Sequence, residues 1–173
     1  MKTLTIMRHS EAVAELSEDV KTDFDKPLTD RGIHVLEKVG DFLKEKYSNP
    51  DYIICSPAVR TKQTLQWLQA ALGEKGEVFY EDKLYGASSD TLMDILLSLP
   101  SNKEKVLLIG HNPSVSDVAN IFYSRIPTMD RPIISFPFKP SQIISFSFHL
   151  SEWKDILTTD FAVDLAWDYK PTK

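Results

Sequence analysis

Hydrophobic positions along this chain take two recurring forms, short compact runs and stripes spaced three or four residues apart. The runs at 4–7, in "DYIICSP" (51–57), in "EVFYED" (77–82) and at 106–109 within "KVLLIGHNP" predict buried strands. Helical stripes lie between them. From 33 to 47, Leu36, Val39, Leu43 and Tyr47 follow at spacings of three, four and four, one face of an amphipathic helix. Its start falls at "LTDRG", where Thr29 or Asp30 can cap the first turn. A second helix over 58–72 carries Leu65, Leu68 and Leu72 on one side, with Gly73 as its stop. Further helices are predicted over 91–99 and 115–123, the latter with Pro113 at its start, where a missing N–H does no harm. "QIISFSFHL" (142–150) alternates like a strand, and "FAVDLAWDY" (161–169) reads as an extended edge segment.

Strands separated by amphipathic helices predict an α/β fold, a sandwich of helices about a largely parallel sheet. Residues 11–28 are polar, charged and without period, so they read as a long exposed loop. The segment "IPTMDRPIISFPFKPS", with four prolines, reads as an excursion over the surface. Both loops would shape access to whatever lies at the sheet edge. No repeat or linker divides the chain, and one domain over 1–173 is expected.

Composition narrows the function. With 42% hydrophobic and 26% charged residues the chain is an ordinary globular sequence, and a net charge of −5 disfavours nucleic acid and anionic membranes as partners. Cys55 is the single cysteine and cannot form an internal disulfide. It falls within an apolar strand, where a thiol is expected to be buried and inert. No run approaches the roughly 18 apolar residues of a membrane helix, and "TLTIM" is too short for a signal core, so a cytoplasmic location is expected.

Ligands of open α/β sheets bind beyond the carboxyl ends of the strands. Those ends carry Arg8-His9-Ser10 after the first run, Ser56-Pro57 with Arg60 one turn later, and Gly110-His111-Asn112 after the run at 106–109. Two arginines and two histidines at one edge suit phosphoryl transfer, which relies on positioning and charge neutralisation. His9 could be a covalent nucleophile if one ring nitrogen is neutral, a form that Arg8 and Arg60 favour by like-charge repulsion. His111 would be a further donor to the phosphoryl oxygens, and no metal or cofactor is called for. His34, His149, Trp153 and Trp167 read as structural. Ser56 has no evident base partner, which argues against a serine hydrolase.

These residues carry a resemblance. "MRHSEA" resembles the Arg-His-Gly signature of the histidine phosphatase superfamily (the phosphoglycerate mutase-like proteins), with Ser10 where glycine is usual. "PLTDRG", "CSPAVRTKQT" and "GHNP" are similar to its later motifs in the same order, and "LYGASSDTL" with "VLLIGHNPSVSDVA" bring the chain nearest the SixA-type phosphohistidine phosphatases. The resemblance implies a three-layer α/β sandwich, His9 as the phosphorylated nucleophile, and Arg8, Arg60 and His111 as the phosphate pocket, with Ser10 a further phosphate donor or a turn residue.

One departure bears on the substrate. Most of the superfamily places an acidic residue after the third strand or directly after the second histidine; here Leu84-Tyr85-Gly86 and Asn112 stand there. Glu81 and Asp82, slightly upstream, are the weaker candidates for a general acid. Loss of that acid forfeits about 10²- to 10⁴-fold on poor leaving groups, whereas imidazole leaves readily. Phosphohistidine in a protein is therefore the expected substrate. The alternatives are a small-molecule phosphatase, a phosphoglycerate-mutase-like transferase, or a non-catalytic module that recognises phosphorylated partners.

Overall fold

The computed structural model describes residues 1–47, 49–73, 76–127, 129, 131, 133–158 and 163–169, with the backbone alone for 163–167. In chain order the elements are β1 (Lys2–Arg8), α1 (Asp30–Lys46), β2 (Tyr52–Cys55), α2 (Val59–Leu72), β3 (Glu77–Tyr80), α3 (Ser89–Leu97), β4 (Lys105–Gly110), α4 (Ser114–Arg125), β5 (Ile143–Phe148) and β6 (Val163–Tyr169). Short 3₁₀ turns follow β3 and precede β6.

The helix starts are set by their caps. Thr29 is the N-cap of α1, its hydroxyl accepting from Gly32 N at 3.0 Å, so the helix begins before the apolar stripe does. Ser88 does the same for α3, accepting from Thr91 N, and moves that helix two residues earlier than its apolar pattern. Gly73 ends α2 at a φ of 79°, a left-handed value that glycine adopts without strain.

The six strands form one sheet in the order β3-β2-β4-β1-β5-β6. The pairs β3–β2, β2–β4 and β4–β1 are parallel; β1–β5 and β5–β6 are antiparallel. The sheet is therefore mixed, and less uniformly parallel than the strand–helix alternation implies. The cause is the excursion after α4, which carries the chain back to the carboxyl edge of β1. There Ser141 N donates to His9 O at 3.1 Å, and β5 departs in the opposite direction with Ile143 opposite Met7. The end of that excursion is no surface loop: Phe138, Ser141 and Gln142 are buried. The tail forms the edge strand β6; residues 161 and 162 and the Trp167 side chain lie outside the described part.

Alternation along the strands divides the core in two. Leu4, Ile6, Ile54, Val106, Leu108, Ile144, Phe146 and Phe148 face α3 and α4 and pack with Val118, Phe122 and Trp153. Met7, Ile53, Cys55, Leu107 and Ile109 face the opposite side, against the α1 stripe of Leu36, Val39, Leu43 and Tyr47 and against Leu65, Leu68 and Leu72 of α2. Helices cover both faces, the three-layer arrangement expected. Register then brings three strand ends level, with Arg8 opposite Gly110 and Cys55 opposite Ile109.

Candidate active site

Because β1 and β4 are neighbours, the residues that follow them are neighbours too. His9 N donates to Gly110 O at 3.1 Å, and the His9 and His111 rings lie 5.1 Å apart. Arg60, in the first turn of α2, reaches the same place. A cavity of about 330 Å³ opens there, lined by Arg8, His9, Arg60 and His111 together with Glu11, Asp23, Lys26 and Asn112, among others. The four residues singled out from three separate strand ends thus share one wall.

His9 is buried to 9% exposure, and its Nδ1 lies 2.6 Å from the Ser10 carbonyl oxygen. A carbonyl only accepts, so Nδ1 carries the proton and Nε2 keeps its lone pair. Burial, more than any other influence, lowers the His9 pKa to about 4; Arg60 and Arg8 add to the shift, and the Ser10 hydrogen bond opposes it. The arginines therefore act in the expected sense, but desolvation is the larger cause. His111 is lowered to about 3, first by burial and then by His9 and Arg60. Both rings are neutral at physiological pH.

Arg8 donates from Nη1 to the Phe138 carbonyl at 2.6 Å, while its Nε is buried with no partner among the described residues. Burial and the charge of Arg60 lower the Arg8 pKa, from a starting value that leaves it a cation. His111 Nδ1 is likewise buried and unpartnered. Groups left so in a packed site are ones a ligand can satisfy.

The loop bearing His9 is held by the other motif residues. Ser10 N donates to Thr64 Oγ1 at 3.0 Å, which ties this loop to α2 one turn beyond Arg60. Thr29 N donates to Glu11 O at 2.9 Å, and a Cβ on Gly32 would lie 2.3 Å from that same oxygen. Only glycine lets α1 approach so closely.

Ser10 itself is not where a phosphate donor should be. Its hydroxyl is fully buried, donates to Gly32 O at 2.8 Å and receives Ser141 Oγ at 2.7 Å. It is not among the groups lining the cavity, and only its carbonyl serves His9. Ser56 also differs from expectation: its Oγ lies 2.7 Å from His111 Nε2, so it does have a histidine partner. Its complete burial, however, keeps it from any substrate.

Neither Glu81 nor Asp82 lines the cavity; Glu81 instead caps the 3₁₀ turn that follows β3. The carboxylates at the site come from the loop that carries no periodicity. Glu11 receives the Thr29 hydroxyl at 2.9 Å and faces Arg31 at 3.8 Å. Asp23 takes Arg60 twice, through its carbonyl at 2.6 Å and through Oδ2 at 3.0 Å, and also receives Tyr85 Oη at 3.0 Å. Burial raises the Asp23 carboxyl, but Arg60, Tyr85 and Lys26 outweigh it and hold the group below its usual value. Asp23 is thus ionised and is no proton donor. Phe24 O accepts from Val59 N, and the Phe24 ring packs edge-on against Tyr85 at 5.0 Å. The 11–28 segment is therefore anchored to the site, and nothing in its amino-acid pattern announces Asp23, Lys26 or their partner Tyr85.

Cys55 is fully buried and its thiol is pushed up to about 12, mainly by burial, as an inert structural cysteine should be. Among the described residues no group of His, Cys, Asp and Glu side chains is arranged to hold a metal ion, and no helix is long and apolar enough to cross a membrane.

A mixed sheet between helix layers, with a histidine beside two arginines and a second histidine at its carboxyl edge, defines a class. The chain belongs to the histidine phosphatase superfamily (branch 1), whose family model matches residues 4–87, and it is a phosphatase. The uncharacterized protein Rv1276c of Mycobacterium tuberculosis is 31% identical over 118 residues, 68% of this chain and 70% of its own. A SixA structure from Nakamurella multipartitia, described there as a candidate phosphohistidine phosphatase, is 26% identical with a TM-score of 0.76 and covers 99% of this chain and 97% of its own. The protein histidine phosphatase SixA complexed with tungstate shares the fold at a TM-score of 0.72 and 21% identity, over 98% of this chain and 97% of its own.

Proposed function

We propose that residues 1–173 form one phosphohistidine phosphatase domain that works without a metal through a phosphorylated His9, on phosphohistidine carried by a protein. The observation that carries the reading is the His9 tautomer: Nδ1–H is committed to the Ser10 carbonyl, which leaves Nε2 unprotonated in a cavity walled by Arg8, Arg60 and His111. Tungstate, the ligand of the SixA complex, is a tetrahedral oxyanion of the shape such a pocket suits.

In the first step the Nε2 lone pair attacks phosphorus, and the P–N bond of the substrate breaks with its electron pair on the substrate ring. If the far nitrogen of that ring carries a proton, the ring leaves as neutral imidazole and no acid is required. In the second step water attacks the phosphoryl group on His9. Both water protons end on the phosphate, and His9 leaves as neutral imidazole because Nδ1–H stays on Ser10. Arg8 and Arg60 neutralise the phosphoryl oxygens, and His111 donates to them as charge builds.

Asp23 is held ionised and neither Glu81 nor Asp82 reaches the cavity, which favours this substrate over alkyl phosphates. Two carboxylates in its wall, Glu11 and Asp23, disfavour an acidic substrate such as phosphoglycerate, and with it the mutase-like alternative. Phosphohistidine peptide should be turned over faster than p-nitrophenyl phosphate or a sugar phosphate. Quenched protein should carry one phosphoryl group on His9, stable in alkali and lost in acid. Wild-type rates in His9→Ala would refute the covalent route, and phosphopeptide binding without turnover of any substrate would mark a recognition module.

A further inference from the structure

The proposed reaction passes a phosphoryl group between two imidazole rings, and the protein treats its own ring in a particular way. His9 keeps its far N–H on a fixed acceptor, Ser10 O at 2.6 Å, so it can leave as neutral imidazole. The substrate ring faces the same requirement from the other side of the phosphorus. Without an acceptor its far proton is easily lost, and the leaving group becomes imidazolate, which is far poorer.

Acceptors at the cavity wall are few. Asn112 Oδ1 already takes the Ser116 hydroxyl. Glu11 is engaged by Thr29 on one oxygen and faces Arg31 with the other. Asp23 differs. Its Oδ2 receives Arg60 and Tyr85, which fixes the carboxylate beside a phosphate-binding guanidinium. Its Oδ1 has only Lys26, at 3.3 Å, and the side chain is 57% exposed. Lys26 is itself tied back to Ala14 O at 2.8 Å. A carboxylate whose second oxygen meets only Lys26 therefore stands in the cavity wall, fixed there by the arginine that binds the phosphoryl group.

We infer that Asp23 is a specificity-determining residue: its carboxylate accepts the far N–H of the phosphorylated imidazole and selects a phosphoramidate with a cationic ring over phosphate esters. The inference rests on the phosphohistidine reading given above. An ester offers no N–H at this position and gains nothing from the carboxylate, so the residue favours one substrate class over the other.

Asp23→Asn tests this cleanly. The amide oxygen still accepts from Arg60 and Tyr85, and the backbone carbonyl still holds Arg60 Nη1, so the change removes charge and leaves the anchorage. The quantity to measure is the ratio of kcat/KM for a phosphohistidine peptide to that for p-nitrophenyl phosphate. In Asp23→Asn the ratio should fall at least tenfold from wild type, and Asp23→Glu should recover part of it. A ratio equal to wild type overturns the inference alone, because Asp23 would then only hold Arg60. A wild-type protein that hydrolyses p-nitrophenyl phosphate but not the phosphohistidine peptide overturns the phosphohistidine reading and this inference with it.

Discussion

Acid should unfold this protein through its two cavity histidines. His9 in the folded chain takes up a proton only near pH 4, against 6.5 for an ordinary histidine. The unfolded chain therefore binds that proton first as pH falls, and stability drops across the interval. The contribution is fully present above about pH 6.5, declines toward pH 4 and is constant below. At about 1.36 kcal/mol per unit, a gap of this size is on the order of 3 kcal/mol. His111 works in the same direction, but part of its shift comes from His9, so the two do not add. Against a total of about 5–15 kcal/mol for a typical domain, this is a large share. Urea unfolding followed by tryptophan fluorescence, near neutral pH and again about two units lower, measures it. His9→Gln/His111→Gln is the reference, since glutamine does not titrate and the other groups cancel. Wild type should lose about 2 kcal/mol more than the double variant on acidification. Equal losses would mean that burial lowers neither ring's pKa, and the electrostatic account of the site would fall.

Other expectations follow from single contacts. Ser10→Ala removes a buried donor to Gly32 O and leaves Ser141 unpaired, which should cost about 1–3 kcal/mol in urea unfolding; an unchanged midpoint would show the hydroxyl is not engaged. Gly32→Ala drives a Cβ to 2.3 Å from Glu11 O, and overpacking of this kind costs about 1–3 kcal/mol, so a thermal scan should show a lower Tm; an equal Tm would contradict the close approach. Phe146→Ala, at a fully buried position in the α3–α4 half of the core, should cost about 3–5 kcal/mol, and a loss below 1 kcal/mol would place it outside that core. Arg60→Ala should lower kcat/KM on every phosphate substrate by about 10²- to 10³-fold, and a change confined to one substrate would contradict a role at the phosphoryl group.

Local pattern determined much of the scaffold. The α1 stripe of Leu36, Val39, Leu43 and Tyr47 is buried as one face, because a 3.6-residue period and an apolar side chain leave a helix few other places to go. The runs at 106–109 and 52–55 are strands for the equally local reason that short β-branched stretches between turns bury both faces. Arg8, His9, Arg60 and His111 were recognisable because each directly follows or soon follows such a strand, where chain direction alone fixes which edge it reaches.

Other features depend on partners distant in sequence, and only the tertiary structure decides them. Whether β5 runs parallel or antiparallel to β1 turns on where the 126–142 segment delivers the chain, and proline content does not say. Ser10 stands in a phosphatase signature, yet its hydroxyl is directed to Gly32 and Ser141, more than twenty and more than a hundred residues away. Asp23 lies in a stretch without period, and its role comes from meeting Arg60 and Tyr85 across 37 and 62 positions. A periodic element declares its face through repetition; a loop carboxylate declares nothing until the fold supplies its neighbours. So the sequence by itself placed His9, His111 and the two arginines at one sheet edge, and the folded chain decided which carboxylates stand beside them.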